Sequence, residues 1–300
     1  MSDLLDLVRV NNAPAVNEFV ANHHDTYPFI APTGTELTGK SIFISGASSG
    51  VGRATAIQCV RAGCAKIAIA ARSGLDDVVK EMEDGACQSK LETPHILPLQ
   101  MDVTSEDSVR KAAKTVAEQF QGKLDILVNN AGYLPEFKPI SESDPLEWWK
   151  GWEVNIKGIF LCCHFFLPLL LNSESKIVIN VSSIGAHTLT YGASSYQGSK
   201  FATCRLTEFL TRDYEQQNLI AISIHPGGVK TGMIRNFPEA MHATLVDTPS
   251  LPADSIIWLV KERREWLNGR YVHINWDMRE LEKRKDEIVD RNLFKFRMTA

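Results

Sequence analysis

From residue 41 onward, short and nearly unbroken apolar runs alternate with longer segments in which apolar residues recur every three or four positions. The runs are SIFIS (41–45), KIAIAA (66–71), HILPLQMDV (95–103), LDILVNN (124–130), KIVINVS (176–182), IAISIHP (220–226) and RYVHI (270–274). Runs of this length, apolar on both sides of the pleat, predict strands buried on both faces. The segments between them predict helices over 51–63, 75–84, 105–120, 145–171, 195–217 and 253–267. Ser105, with acids in the next turn, opens the third helix as a capping box would, although Ser108 stands where Glu would be ideal. Strand and helix in alternation mean parallel strands joined by right-handed crossovers, with helices on both faces. The expectation is one α/β domain built on a doubly wound, parallel, seven-stranded sheet. Its ligands should bind beyond the carboxyl ends of the strands.

The flanks break the pattern. Residues 1–38 are polar and dotted with Pro14, Pro28 and Pro32, and predict an N-terminal extension on or beside a domain spanning 39–275. Residues 276–300 alternate charge and then turn apolar, as a C-terminal helical tail would, either covering the chain's own sheet edge or embracing a neighbour. The most apolar run, 159–171, holds His164 and Pro168 and falls short of the ~20 residues of a membrane span, so it predicts a buried helix. The acidic start MSDLLDLVRV does not resemble a secretory signal. Six cysteines without a C-x-x-C pair suit reduced, buried thiols and a cytoplasmic setting. A net charge of −4 argues against a nucleic-acid partner. The His23–His24 pair has no carboxylate or Cys at ligand spacing, so no metal site is expected.

Chemistry concentrates where the sheet argument places it. SGASSGVG (45–52) joins the first strand to the first helix. Gly46, Gly50 and Gly52 allow a tight turn and close approach of backbone to a pyrophosphate. Ser48, Ser49 and Val51 carry the chain into a helix N-terminus, whose N–H groups suit an anion. The spacing is G-x-x-x-G-x-G, and the turn closely resembles the T-G-x-x-x-G-x-G motif of the short-chain dehydrogenase/reductase family, with Ser45 for Thr. Further matches follow in the family's order: MDVT, NNAG (129–132), Asn155 in WEVNIKG, Ser183 in NVSS, Tyr196 and Lys200 in SSYQGSK, and PGGVKT (226–231). Together they cover roughly residues 38–275, and the flanks look like those of fungal members found among secondary-metabolism reductases.

The resemblance implies a Rossmann-type fold and an NADP(H)-dependent oxidoreductase that interconverts a carbonyl and a secondary alcohol on a lipophilic small molecule. A non-redox cyclising or isomerising enzyme that keeps NADP as a scaffold is the alternative. A nucleotide-sensing regulator is disfavoured, because the Tyr/Lys pair is kept. Ala71 stands where NAD enzymes place an acid, and Arg72 follows, which suits a 2′-phosphate. Asp102 and Val103 would lie by the adenine, Asn130, Ala131 and Gly132 along the adenosine side, and Val229 and Thr231 at the nicotinamide carboxamide. Tyr196 would be the proton donor, with Lys200 one turn away lowering its pKa and holding the ribose. Ser183 would hydrogen-bond the substrate oxygen, and Asn155 would anchor a water for proton passage. Loop 184–195, with His187 and Tyr191, would wall the pocket. Residues 232–252 would form a lid presenting Met233, Ile234, Phe237 and Met241. Trp148, Trp149 and Trp152 suit helix core or a subunit contact. The 155–171 and 195–217 helices resemble those that pair across two-fold axes in the family, implying a homodimer or homotetramer. INWDM (274–278) stands where members often carry a glycine pair.

Overall fold

The computed structural model describes residues 8–9 and 19–298; the rest of the expected extension lies outside the described residues. Seven strands form one parallel sheet: β1 (Ser41–Ser45), β2 (Lys66–Ala71), β3 (His95–Gln100), β4 (Ile126–Asn129), β5 (Ile177–Val181), β6 (Ile220–His225) and β7 (Tyr271–His273). Their order is β3-β2-β1-β4-β5-β6-β7, with Ile42 of β1 opposite Ile67 on one side and Ile126 on the other. The order reverses at β1, so a crevice opens between the carboxyl ends of β1 and β4, where doubly wound sheets take their ligands.

Alternate strand residues face opposite layers. Ile42, Ile44, Ile67 and Ile69 point to the face covered by α1 (Gly50–Arg61), α2 (Asp76–Ser89) and α7 (Ser250–Val260). Phe43, Ala68, Leu127 and Val178 point to the face covered by α3 (Glu106–Gln119), α5 (Gly158–Leu171) and part of α6 (Ser194–Asp213). Each fully buried aliphatic side chain here is worth about 1.5–3 kcal/mol relative to exposure.

The structure departs from the apolar pattern in physically readable ways. The third strand stops at Gln100 and is partly exposed, because β3 is the sheet edge, where Pro98 costs no ladder bond. α7 ends at Val260 rather than 267, where the charged run Lys261–Arg264 begins. Ser105 caps α3 by accepting from the Ser108 N–H, and the Ser108 hydroxyl reaches back to the Asp102 N–H at 3.0 Å. Of the six cysteines, Cys87 is exposed and the other five are buried. Helix α4 (Pro145–Trp152) and α5 join through a π-turn, Glu153–Lys157, into one run of 27 residues. By length and composition that run could cross a membrane, but 56% of its most apolar window is buried inside the fold.

Residues 19–38 are irregular yet bury Val20, Ile30 and Leu37 against the core. His23 N–H donates to the Asn275 carbonyl at 2.7 Å, and the Asn275 amide returns a bond to the His23 carbonyl at 2.9 Å. Val8–Arg9 pair antiparallel with Leu189–Thr190. Two short helices follow β7, α8 (Met278–Lys283) and α9 (Lys285–Asp290), and residues 291–298 are non-helical.

Candidate active site

The glycine turn after β1 is held from behind by the segment after β4. The Ser45 hydroxyl accepts from the N–H groups of Asn130 and Ala131, both at 3.1 Å, so serine makes the bonds open to a threonine there. The Asn130 amide donates to the carbonyls of Ser45 and Gly46, each at 3.0 Å. Its side chain is therefore turned into the turn, so that Asn130 offers only its backbone to the crevice. Gly46 sits at φ +67°, and a Cβ there would lie 2.7 Å from the Ala131 Cα. A Cβ on Gly52 would lie 2.5 Å from the Gly46 carbonyl and collide with the Asn130 amide. Gly50, at φ +58°, faces Thr231 across the crevice, whose Cγ2 a Cβ would meet at 2.9 Å. The cradle has no room for side chains and presents backbone N–H groups at the start of α1, which suits a pyrophosphate.

Arg72 is exposed at the end of β2, next to the buried Ala71. Asp102 accepts from the N–H and hydroxyl of Thr104 at 2.9 and 2.8 Å, closing a local turn. Val103 is buried against Gly158. Val229 bridges to Asp247, and the Thr231 hydroxyl caps the turn Gly232–Asn236.

Ser183 follows β5, and its Oγ accepts from the Gly185 N–H at 3.0 Å. Tyr196 and Lys200 lie one turn apart on α6, with the lysine Nζ 5.7 Å from the tyrosine ring centroid. The Lys200 Nζ donates to the Val181 carbonyl at 2.8 Å and is buried. That burial drives its pKa down to about 8. Burial pushes the Tyr196 phenol above its ordinary value, and a hydrogen bond with Ser183 pulls the other way. The phenol is thus held above its ordinary value by desolvation, and the opposing influence comes from Ser183 rather than from Lys200.

Asn155 lies at the centre of the π-turn, fully buried. Its Oδ1 accepts from the Tyr133 N–H, and its Nδ2 donates to the Tyr133 carbonyl and to the Ser199 hydroxyl, all at 2.9 Å. The side chain is thereby fully engaged in tying the segment after β4 to α6. Gly132 lies beside both groups: a Cβ there would stand 3.6 Å from Asn155 Oδ1 and from Lys200 Nζ.

Two further residues shape the site without having been singled out in the sequence. Gln197 accepts from the Thr190 N–H at 2.9 Å and donates to the hydroxyls of Thr188 and Thr190, which fixes the wall loop. Ser199 receives the Asn155 amide. Their adjacency to Tyr196 and Lys200 was the only signal. Tyr191 is 65% exposed, while His187 is half-buried against Tyr271, with ring centroids 5.4 Å apart. His225 is buried, and its Nδ1 accepts from the Ile184 N–H at 3.0 Å. The last two are packed into the loop's support. A cavity of about 260 Å³ opens beside Ser195, between Tyr133, Trp148, Gly192 and Asn236 of the 232–252 segment. Trp148 donates to the Ser194 hydroxyl at 3.0 Å, tying α4 to the start of α6. His23 and His24 bond Asp277 and Asp247, respectively.

The chain resembles known proteins over most of its length. It is 45% identical over 276 residues to the short chain dehydrogenase mpl6 of Monascus purpureus, covering 92% of this chain and 94% of the relative. It is 41% identical over 271 residues to the short chain dehydrogenase pigC of Monascus ruber, covering 89% of each. A solved short chain dehydrogenase from Shigella flexneri, complexed with NADP, superposes with a TM-score of 0.71 at 25% identity, over 80% of this chain and 99% of that one. Residues 40–242 match the family model described as short chain dehydrogenase. With the reversed strand order, the cramped glycine cradle and this match in agreement, the chain belongs to the short-chain dehydrogenase family of oxidoreductases.

Proposed function

We propose that the protein is an NADP(H)-dependent reductase that interconverts a carbonyl and a secondary alcohol on a lipophilic small molecule, in fungal secondary metabolism. The observation that carries this is the convergence of Ser183, Tyr196 and Lys200 at the carboxyl end of β5, across the crevice from a glycine turn with no room for a Cβ. A nicotinamide dinucleotide held by Gly46–Gly52, Arg72, Asp102, Val103, the 130–132 backbone, Lys200, Val229 and Thr231 would supply the hydride. The remaining chemistry belongs to the protein. Ser183 orients the substrate oxygen, and Tyr196 donates the proton as negative charge develops there. Lys200 fixes the tyrosine's surroundings and returns charge to the site. Asn155 holds the Tyr133 segment and α6 in register, and acts as a positioning residue.

Arg72 supports NADPH over NADH, because an exposed guanidinium beside an apolar Ala71 can take a phosphate and leaves no carboxylate for a ribose hydroxyl. The test is oxidation of NADPH and NADH, followed by absorbance, against a panel of lipophilic ketones. Arg72→Ala should weaken NADPH binding by about 10- to 100-fold, the worth of a charge-assisted pair, and hardly alter NADH. Equal loss for both would refute the assignment. No NADPH oxidation with any ketone would favour the scaffold alternative.

The reading includes self-association. Phe160, His164 and Pro168 of α5 and Phe201 and Phe209 of α6 are exposed, the last two being 44% and 56% accessible. Aromatic residues left bare on two neighbouring helices suit a homodimer or homotetramer. Sedimentation at micromolar protein should give a dimer or larger, and a strict monomer would refute this. Six free cysteines suit a cytoplasmic setting, which fractionation of source cells can check. The extension (1–38) and tail (276–300) would flank the catalytic domain (39–275) and its lid (232–252).

A further inference from the structure

The loop that carries Val229 and Thr231 is braced from outside by two segments beyond the 40–242 family match. Asp247, where the chain returns from the 232–246 segment, is buried, its side chain only 4% exposed. Its Oδ2 accepts from the Gly228 N–H at 2.5 Å, and its own N–H donates to the Gly228 carbonyl at 3.0 Å. The approach is close enough to dictate sequence. Gly227 sits at φ +80° with a hypothetical Cβ 2.6 Å from Asp247 Oδ2, and a Cβ on Gly228 would lie 2.5 Å from the Thr244 carbonyl. The second carboxylate oxygen meets the N-terminal segment: His24 Nδ1 lies 2.6 Å from Asp247 Oδ1. The same segment grips the next residue twice. The Thr248 N–H donates to the His24 carbonyl at 3.0 Å, and the Thr248 hydroxyl to Asp25 Oδ1 at 2.5 Å. The His24 side chain is 66% exposed, so packing alone does not account for its placement.

We propose that His24 and Asp247 are positioning residues for the cofactor loop: through the bridged carboxylate, the N-terminal segment sets where Gly228, and hence Val229 and Thr231, stand. Asp247 bonds the loop directly, and His24 fixes the rotamer in which it can do so. Thr231 lies across the crevice against Gly50, so a shift of the loop changes the width of the dinucleotide cleft. The inference rests on the nicotinamide-cofactor reading above.

Calorimetric titration of the full-length protein with NADPH tests it, alongside melting temperature and steady-state kinetics. His24→Ala should raise the Kd for NADPH by about 3- to 10-fold, the worth of one side-chain hydrogen bond, with the loss expressed in KM for NADPH more than in kcat. His24→Asn, whose amide nitrogen can stand where Nδ1 stands, should recover most of the affinity. Asp247→Asn keeps the shape while turning one of the two acceptor oxygens into an N–H donor and removing the charge, and should lose more than His24→Ala. An unchanged Kd in a folded His24→Ala protein overturns the proposal. A fall in melting temperature with no recovery by His24→Asn overturns it too, in favour of plain support of the fold. Wild-type protein that binds neither NADPH nor NADH overturns the functional reading itself, and this inference with it.

Discussion

Tyr196→Phe should lower kcat by about 10²- to 10⁴-fold, the range for a lost general acid, while the protein still binds its dinucleotide. The change removes one oxygen and keeps the ring. Tyr196 anchors no other element through that oxygen; its named partner is the Ser183 hydroxyl. α6 should stay in place, because its start is tied through Ser194 and Ser195 to Trp148, and its next turn through Ser199 to Asn155. The phenol's raised pKa also fixes a direction for the pH profile. At neutral pH the group is protonated, which is the state that reduction of a carbonyl requires. Alcohol oxidation needs the ionised form, so its rate should climb through the alkaline range as the phenol gives up its proton. Turnover at the wild-type rate by Tyr196→Phe would show that no proton passes through this residue, and the non-redox alternative would take precedence.

How much of this could be read in advance depended on what each element is made of. β1 and β2 were legible to the residue, because central strands of a parallel sheet are apolar on both faces and end at a glycine turn or a charge. β3 was over-extended, since an edge strand is polar on one side and its end carries no such mark. The π-turn at Glu153–Lys157 left no trace in the sequence. One extra residue in a helix turn shifts the apolar period only slightly, and the run that follows is apolar nearly all round. That turn is nonetheless what brings the Asn155 amide to Tyr133 and Ser199. The glycine positions were legible as a motif, but their cause lies elsewhere: Asn130 fills the space behind Gly52, and Asp247 fills the space behind Gly227. Residues 19–38 gave least, because irregular backbone has no period to detect. Their buried Val20, Ile30 and Leu37 stand among prolines and polar residues. His187 was read as walling the pocket; its ring packs against Tyr271, while His225, to which the sequence gave no role, holds the loop through the Ile184 N–H.

Lys200→Met should abolish most of the activity and, at neutral pH, make the protein more stable. The ammonium is buried with one carbonyl partner, Val181, and its pKa is driven from the ordinary 10.5 to about 8. A lysine whose folded value is depressed holds its proton less tightly in the folded state than in the unfolded chain. Below pH 8 both states are charged, and the folded state carries the whole penalty, about 3 kcal/mol by linkage. From about 8 to 10.5 the unfolded chain binds more protons, so wild-type stability from this group rises with pH across that window. Methionine removes the penalty at every pH and leaves the Val181 carbonyl without its donor, a loss of about 1–3 kcal/mol. The net gain near pH 7 is therefore about 0–2 kcal/mol, worth up to a few degrees of melting temperature in a chain of this size. Above about pH 10.5 only the lost hydrogen bond remains, and the variant should fall below the wild type. Melting curves of both proteins across pH 6–11 should cross, and the crossing is the decisive observation. A variant less stable at every pH would mean that the buried charge is solvated by the site at no cost. Lys200 would then be a structural residue, and the loss of activity on its replacement would say nothing about proton transfer.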